Sequence, residues 1–360
     1  MCRGIGTGPH VEGSQASQLK GRFRQGRDPV NRTVTKTMKQ SETKADTTLL
    51  KQEQLNSDVT EQLMKYARVL LPGQRAELHV LNVDNGRSRM VLCSEDQLFE
   101  APNWHPDGRW IVVNADGALY RVDSHDPQGL EPIHAAGLPE LNNDHIVSPD
   151  GRWHYVSAND GHLYRVPWEG GNAERITVPK DPERRFRHFL HGVSRDGNAL
   201  VYVGTEALDG DEWGRRALWL LDLVSGEEQL VGDGYSPADG PEFSPDGTSV
   251  FFNSEVASRA PGHAQLFRYD LAEASVQQLT FDEHVNWFPH PSPDGRRLVY
   301  LSYPPGTLGH PADLPVALRL IDLPEGPARD LVALPGGQGT INVPCWAPDA
   351  LHIAYVRYPL

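Results

Sequence analysis

The sequence predicts an all-β protein, a six-bladed β-propeller of four-stranded antiparallel blades, and three observations carry that expectation. Tetrads of the Ser-Pro-Asp-Gly type recur, beginning at His105, Ser148, Ser194, Ser244, Ser292 and Ala347, at intervals of 43, 46, 50, 48 and 55 residues. Each is followed by a short apolar, β-rich run, "RWIVV" after the first and "RLVYL" after the fifth. A second strand then follows, as in "ALYRVD" (118–123), "HLYRVP" (162–167) and "LFRYDL" (266–271). Four-stranded repeats of about 40–50 residues are propeller blades, and Asp-Gly supplies the hairpin geometry at each turn.

Taken in order, residues 1–56 read as a polar, basic tail. Residues 1–60 hold one aromatic, Phe23, and carry 10 Lys/Arg against 6 Asp/Glu. Such a stretch buries too little apolar surface to offset its chain entropy, so it is expected to be disordered. Residues 57–75 read as a short helix and linker, with "SDVTEQLMKYARVLL" (57–71) as the helical part. The run "AELHVLNVDNGRSRMVLCS" (76–94) is two strands joined by an Asn-Gly hairpin with no tetrad ahead of it. The last tetrad is followed only by "LHIAYVRY" before the chain stops. Placing the N-terminal pair beside this C-terminal strand completes a sixth blade and removes the exposed sheet edges. The propeller therefore spans 76–360.

With a net charge of −14 and +4 on residues 1–60, the remainder carries −18. Phosphate backbones would be repelled, so nucleic acid is excluded as a partner. No apolar run reaches the ~18 residues of a membrane span, and no apolar h-region follows the N-terminal charges. The three cysteines, Cys2, Cys93 and Cys345, have no metal spacing and form an odd set. They predict a reducing compartment, and with no secretion signal the expected location is cytoplasmic. Neither a G-x-S-x-G elbow nor a nucleotide-binding glycine loop is present.

The candidate site follows from the topology. The strand before each tetrad lines the channel, so its start, the loop between the second and third strands, and the link between blades meet at the mouth opposite the tetrads. Strand starts carry Asn142, Asn143, Asp144 and His145, then His188 and His191, Asp239 and Glu242, and Asn286, Trp287 and His290. The long loop 303–315 brings His310 and Asp313, and the last link, "PGGQGTINVPCW" (335–346), brings Gln338, Thr340 and Asn342. Polar residues beside a channel also serve backbone groups and ordered water. Histidines and an acid aimed at one axis from separate blades point further, to a pocket for a small hydrophilic ligand such as an oligosaccharide. His145, His191 and His290, with Gln338 or Glu242, offer a nitrogen and oxygen set suited to one divalent Mn, Zn or Fe, leaving a position open. In that reading Glu242 flanks the metal shell and His310 is a general acid or base near neutral pH. Arg184, Arg185 and Arg187 could grip an anionic sugar.

The tetrad pattern resembles the TolB-like propeller repeats, also called WD40-like or PD40, over about residues 76–360. The resemblance implies the fold and leaves function open, because such propellers serve many activities. Runs such as "NNDH", "HGVS", "GPE", "NWFPHPSPDG", "GHP" and "GGQGTINVP" are similar to those of one group of TolB-like proteins. More distantly, "FPHPSPDG" (288–295) resembles a segment of the oligogalacturonate lyases and carries one of their metal-ligand positions onto His290. The motif's other histidine falls on Phe288, and the region similar to their His-Glu-Phe element reads Pro241-Glu242-Phe243. That resemblance implies a metal-assisted lyase or hydrolase acting on uronates. The alternatives are a non-catalytic scaffold with a protein partner on the propeller face, or a sugar sensor.

Overall fold

The computed structural model describes residues 68–208, 211–232, 237–258 and 260–360. The tail expected over 1–56, and the expected helix as far as residue 67, lie outside them. Residues 68–71 carry no regular structure.

Among the described residues, strands form five four-stranded antiparallel sheets and one three-stranded sheet, each a blade, besides a short parallel pair of Ala135–Ala136 with Gly171–Asn172. The innermost strands of blades one to five are Glu100–Trp104, Leu141–Val147, Arg187–Val193, Ala238–Phe243 and Val285–Pro291. Blade six closes the ring as expected: Ala76–Asn82 pairs antiparallel with His352–Arg357, and Ser88–Ser94 lies outside it. Its innermost place differs from expectation. The segment before the sixth tetrad makes only one bridge, Trp346 to Ile353, so this blade has three strands.

The tetrads turn by one shared hydrogen-bond pattern. In the Ser148, Ser194, Ser244 and Ser292 turns the glycine N–H donates to the serine carbonyl, and the serine Oγ–H donates to the aspartate at 2.6 Å. The glycine sits at φ between 71° and 74°, a left-handed conformation open to glycine at no steric cost. In the sixth turn Ala350 takes that place at φ 56°.

The core lies between blades. Ile146 and Tyr155 of blade two meet Leu190 and Tyr202 of blade three in one cluster. Trp287, Val299 and Leu318 of blade five meet Ile353 and Tyr355 of blade six in another. Each such side chain contributes about 1.5–3 kcal/mol by its burial, so neighbouring blades fix one another. Cys345 is buried and Cys93 exposed, and both are free thiols.

Candidate functional site at the channel mouth

Every innermost strand of blades one to five carries a bulge, and these bulges build the mouth. In blades one, four and five the register slips between Glu100 and Asn103, Asp239 and Glu242, and Trp287 and His290. Two residues then stand opposite one, with Ala101, Gly240 and Phe288 at φ 54–56°. In blade two the irregularity runs from Leu141 to His145, so Asn142, Asn143 and Asp144 stand in it. In blade three His191 is the single extra residue between Leu190 and Gly192. A bulge re-aims side chains that a regular strand would send elsewhere.

His191 anchors the centre. Its Nδ1–H donates to the Asn342 carbonyl at 3.0 Å, and its Nε2 lies 3.3 Å from Asp239 Oδ1. Both ring nitrogens therefore face acceptors, which suits the imidazolium. Burial alone would lower its pKa, but the Asp144 and Asp239 carboxylates overcome that and raise it to about 9. Asp144 is pushed up to about 7 by burial, with the His191 charge pulling the other way. Asp239 is also desolvated, yet its hydrogen bond to His191 holds its pKa below the ordinary value. The site holds one cation between two acids whose proton affinities have been driven apart.

A second group adjoins the first. His310 Nδ1–H donates to Gln338 Oε1, which also accepts from Asn342 Nδ2 at 3.0 Å. Burial lowers the pKa of His310. Its ring lies 4.5 Å from that of Trp287 and 5.1 Å from that of Phe288, centroid to centroid. Glu242 and His290 form a separate pair, Oε2 to Nδ1 at 2.6 Å, and His290 Nε2 meets the Ile341 carbonyl at 2.6 Å. Burial raises the Glu242 pKa, and His290 partly offsets this.

Two groups not anticipated from the sequence complete the mouth. Arg68 donates to Asp313 at 2.6 Å and to the Gln338 carbonyl at 2.9 Å, lies 3.4 Å from Glu100, and stacks 3.4 Å above the Tyr358 ring. It lies in a stretch read as helix and linker, which hid it. Glu100 was legible in principle, because it occupies in blade one the bulge position that Asp239 occupies in blade four.

Other expected residues do structural work away from the centre. His145 is corrected: its ring nitrogens face the carbonyls of Asn143 (3.2 Å) and Val112 (3.4 Å), and burial lowers its pKa to about 4. His145, His191 and His290 each face protein acceptors. Among the described residues no group of three or more His, Cys, Asp or Glu is set to hold a metal ion. His188 is turned away between blades, with Nδ1 on the Gly161 carbonyl at 2.6 Å and Nε2 3.2 Å from Glu228. Asn286 bonds Asp282 and Ser302, Asn142 caps the Asp144 N–H, and Thr340 accepts from Gly337 N at 3.0 Å. Arg184 pairs with Glu206. A narrow crevice remains at the mouth, lined by Asp239, Asn253 and Trp287 among others, and the buried Trp287 Nε1–H has no partner there.

No protein-family model matches the chain. An uncharacterized protein of Agrobacterium fabrum is 35% identical over 288 residues, covering 79% of this chain and 92% of the relative. A solved structure of a candidate TolB from Agrobacterium tumefaciens, 34% identical, superposes with a TM-score of 0.72 over 80% of this chain and 99% of its own. The Tol-Pal system protein TolB of Francisella tularensis is 23% identical over 294 residues, 79% of this chain, which spans only 61% of that relative. An oligogalacturonate lyase in complex with manganese shares the fold, at 16% identity and a TM-score of 0.50 over 71% of this chain and 72% of its own. The expected cytoplasmic location is overturned by the matches to relatives named for the Tol-Pal system.

Proposed function

The chain belongs to the TolB-like family of six-bladed β-propellers, and from that premise we propose that it is a docking protein of a Tol-Pal type assembly, its acidic mouth receiving a donor-rich partner segment. One observation carries this reading: the acid–base groups of the mouth are already engaged with one another. His191 is held by Asp239 and Asn342, His290 by Glu242 and the Ile341 carbonyl, and His310 by Gln338. General acid–base catalysis needs a group within reach of a substrate proton, whereas these groups stand as a fixed polar surface. Glu100, Asp144, Asp239, Glu242 and Asp313 outnumber Arg68, Arg216 and His191 there, which favours a cationic or N–H-rich partner by complementarity. The relatives named for the Tol-Pal system supply the class of partner.

The test is a biosensor titration of the full chain against the purified Pal protein of the same organism. Saturable binding that Asp239→Arg abolishes supports the reading. Absence of binding, or binding indifferent to that charge reversal, overturns it, as does release of unsaturated product from an oligogalacturonide panel.

A second reading is favoured by the crevice beside Asp239, where the Trp287 indole N–H is unpartnered. At about 10 Å³ the crevice admits only a water-sized group, so an oligosaccharide or uronate seated over the mouth would reach a single oxygen in to accept from Trp287. Calorimetry with neutral and uronate oligosaccharides on the wild type and on Trp287→Phe separates it from the first, since only this reading makes sugar affinity depend on the indole nitrogen.

A further inference from the structure

On the face opposite the mouth, where the tetrad turns lie, a cleft of about 590 Å³ opens between blades six and one. Small-molecule sites occupy roughly 300–1,000 Å³, so the cleft has the size of one. Val80, Trp104 and Ala347 give it a buried apolar lining. Two of its lining residues hold buried donors with no hydrogen-bond partner, Trp104 Nε1–H and Ser124 Oγ–H, in side chains 8% and 0% exposed. A buried donor left unpaired is costly, and a ligand acceptor would relieve that cost.

The rim adds charge of one useful sign. Arg87 and Arg89 stand two residues apart where the chain enters the outermost strand of blade six, both line the cleft and both are exposed. Residues at that spacing on extended chain share a face. Neither guanidinium has an ion-pair partner among the described residues. Two carboxylates share the cleft, and both are committed. Asp107 lies 3.0 Å from His105 Nδ1 and accepts the Arg109 N–H at 2.8 Å. Asp349 accepts from His352 Nδ1 at 2.7 Å and from the Leu351 N–H at 2.8 Å. Unspent donors and two unpaired cations thus surround an apolar lining.

We propose that this cleft is a binding site for a small oxyanion carried on a ring, a sugar carboxylate or a sugar phosphate. Arg87 and Arg89 hold the anionic oxygens, Ser124 and the Trp104 indole N–H donate to the remaining acceptors, and the ring body covers Val80 and Ala347. Arg accepts both anions because its planar fork matches carboxylate and phosphate oxygens. The site lies on the other face from the mouth and stands or falls independently of the docking reading.

Calorimetric titration of the full chain with glucuronate, glucose 6-phosphate and uncharged methyl glucoside tests it. At least one anion binds with a dissociation constant of about 1 mM or tighter, more weakly as salt rises, while the glucoside does not bind. Arg87→Ala/Arg89→Ala weakens that binding about tenfold or more, and Ser124→Ala weakens it to a smaller degree. Both arginines are exposed, so an unchanged melting temperature shows that the double variant is folded. Which anion responds decides between carboxylate and phosphate. The proposal is overturned if neither anion binds the wild type, if binding survives the double arginine variant, or if the glucoside binds as well as the anions.

Discussion

Replacing Asp144 by Asn makes this protein more stable at pH 8, and the gain disappears as the pH falls. Asp144 is buried in the blade-two bulge and its carboxyl is pushed up from 3.8 to about 7, chiefly by burial. The folded state therefore holds this proton more tightly than the unfolded state. Its contribution is fully present below pH 3.8 and is lost as pH rises through about 7, so the penalty is complete by pH 8. At ~1.36 kcal/mol for each pH unit between the two values, the loss amounts to about 4 kcal/mol. Asn removes that penalty but also the Asp144 attraction that helps raise His191 to about 9. Because the value of about 7 already includes the pull of the His191 charge, the net gain at pH 8 stays at about 4 kcal/mol. Urea midpoints of wild type and Asp144→Asn at pH 4.5, 6 and 8 measure it, read with equal m-values. A variant less stable than wild type at pH 8, or a difference that does not change with pH, would refute the reasoning. The gain, once seen, would also mean that the carboxylate is retained against stability, as groups at a working site are.

Removing His290 leaves the buried Glu242 without its hydrogen-bond partner, so His290→Phe should cost about 1–3 kcal/mol by urea unfolding; Glu242→Gln, which can keep a hydrogen bond, should cost clearly less. Gly339→Ala should destabilise by more than about 1 kcal/mol, because at φ 87° the added Cβ would meet the Glu100 carboxylate and lie 2.6 Å from the Tyr358 hydroxyl; a melting curve like that of wild type would contradict the geometry. Arg68→Ala removes the cation that pairs with both Glu100 and Asp313, and should lower the melting temperature measurably at pH 8 and less at pH 4, because burial raises the Glu100 pKa and brings that acid closer to neutral. Titration with Mn²⁺ or Zn²⁺ should leave the melting temperature unchanged, since the mouth imidazoles already hold protein acceptors; a rise of several degrees that His191→Ala abolishes would reverse that view.

The tetrads made the architecture legible because each is a complete local device. Serine, aspartate and glycine satisfy their own turn, and the apolar run that follows has strand character without help from distant residues. The closure of blade six was legible for the same reason: a hairpin lacking a tetrad at one end matched a tetrad lacking its hairpin at the other. The site was only half legible, and the reason is a register rule. Side chains alternate along a strand, so a shift of one residue moves a side chain to the other face. Counting back from the tetrads, Asn103, Glu242 and His290 occupy one equivalent position opposite Val112, Phe251 and Val299. In blade two that position belongs to Ile146, opposite Tyr155, and His145 falls one place earlier, among the backbone carbonyls between blades one and two.

Three bulge lengths in five blades decide the chemistry, and only some of them carry a local mark. Proline marks the bulges of blades one, four and five, where Ala101-Pro102, Gly240-Pro241 and Phe288-Pro289 stand in the irregularity. Blades two and three have no such mark, yet they supply Asp144 and His191. These two residues meet because their strands depart from the common pattern, by three residues opposite one and by a single insertion. A regular repeat would have aimed equivalent positions at the axis and produced a ring of like residues. Irregular bulges instead bring a cation from one blade between acids from its two neighbours. The same reasoning predicts what a repair would do: deleting His191 to give blade three an unbulged strand would shift its start by one residue, strip Asp144 and Asp239 of their shared cation, and leave the tetrad turn at Ser194 intact. Circular dichroism should then show the propeller's strand content retained while the midpoint in urea falls most above pH 7, where Asp144 is ionised; a midpoint loss uniform with pH would mean that His191 serves packing alone.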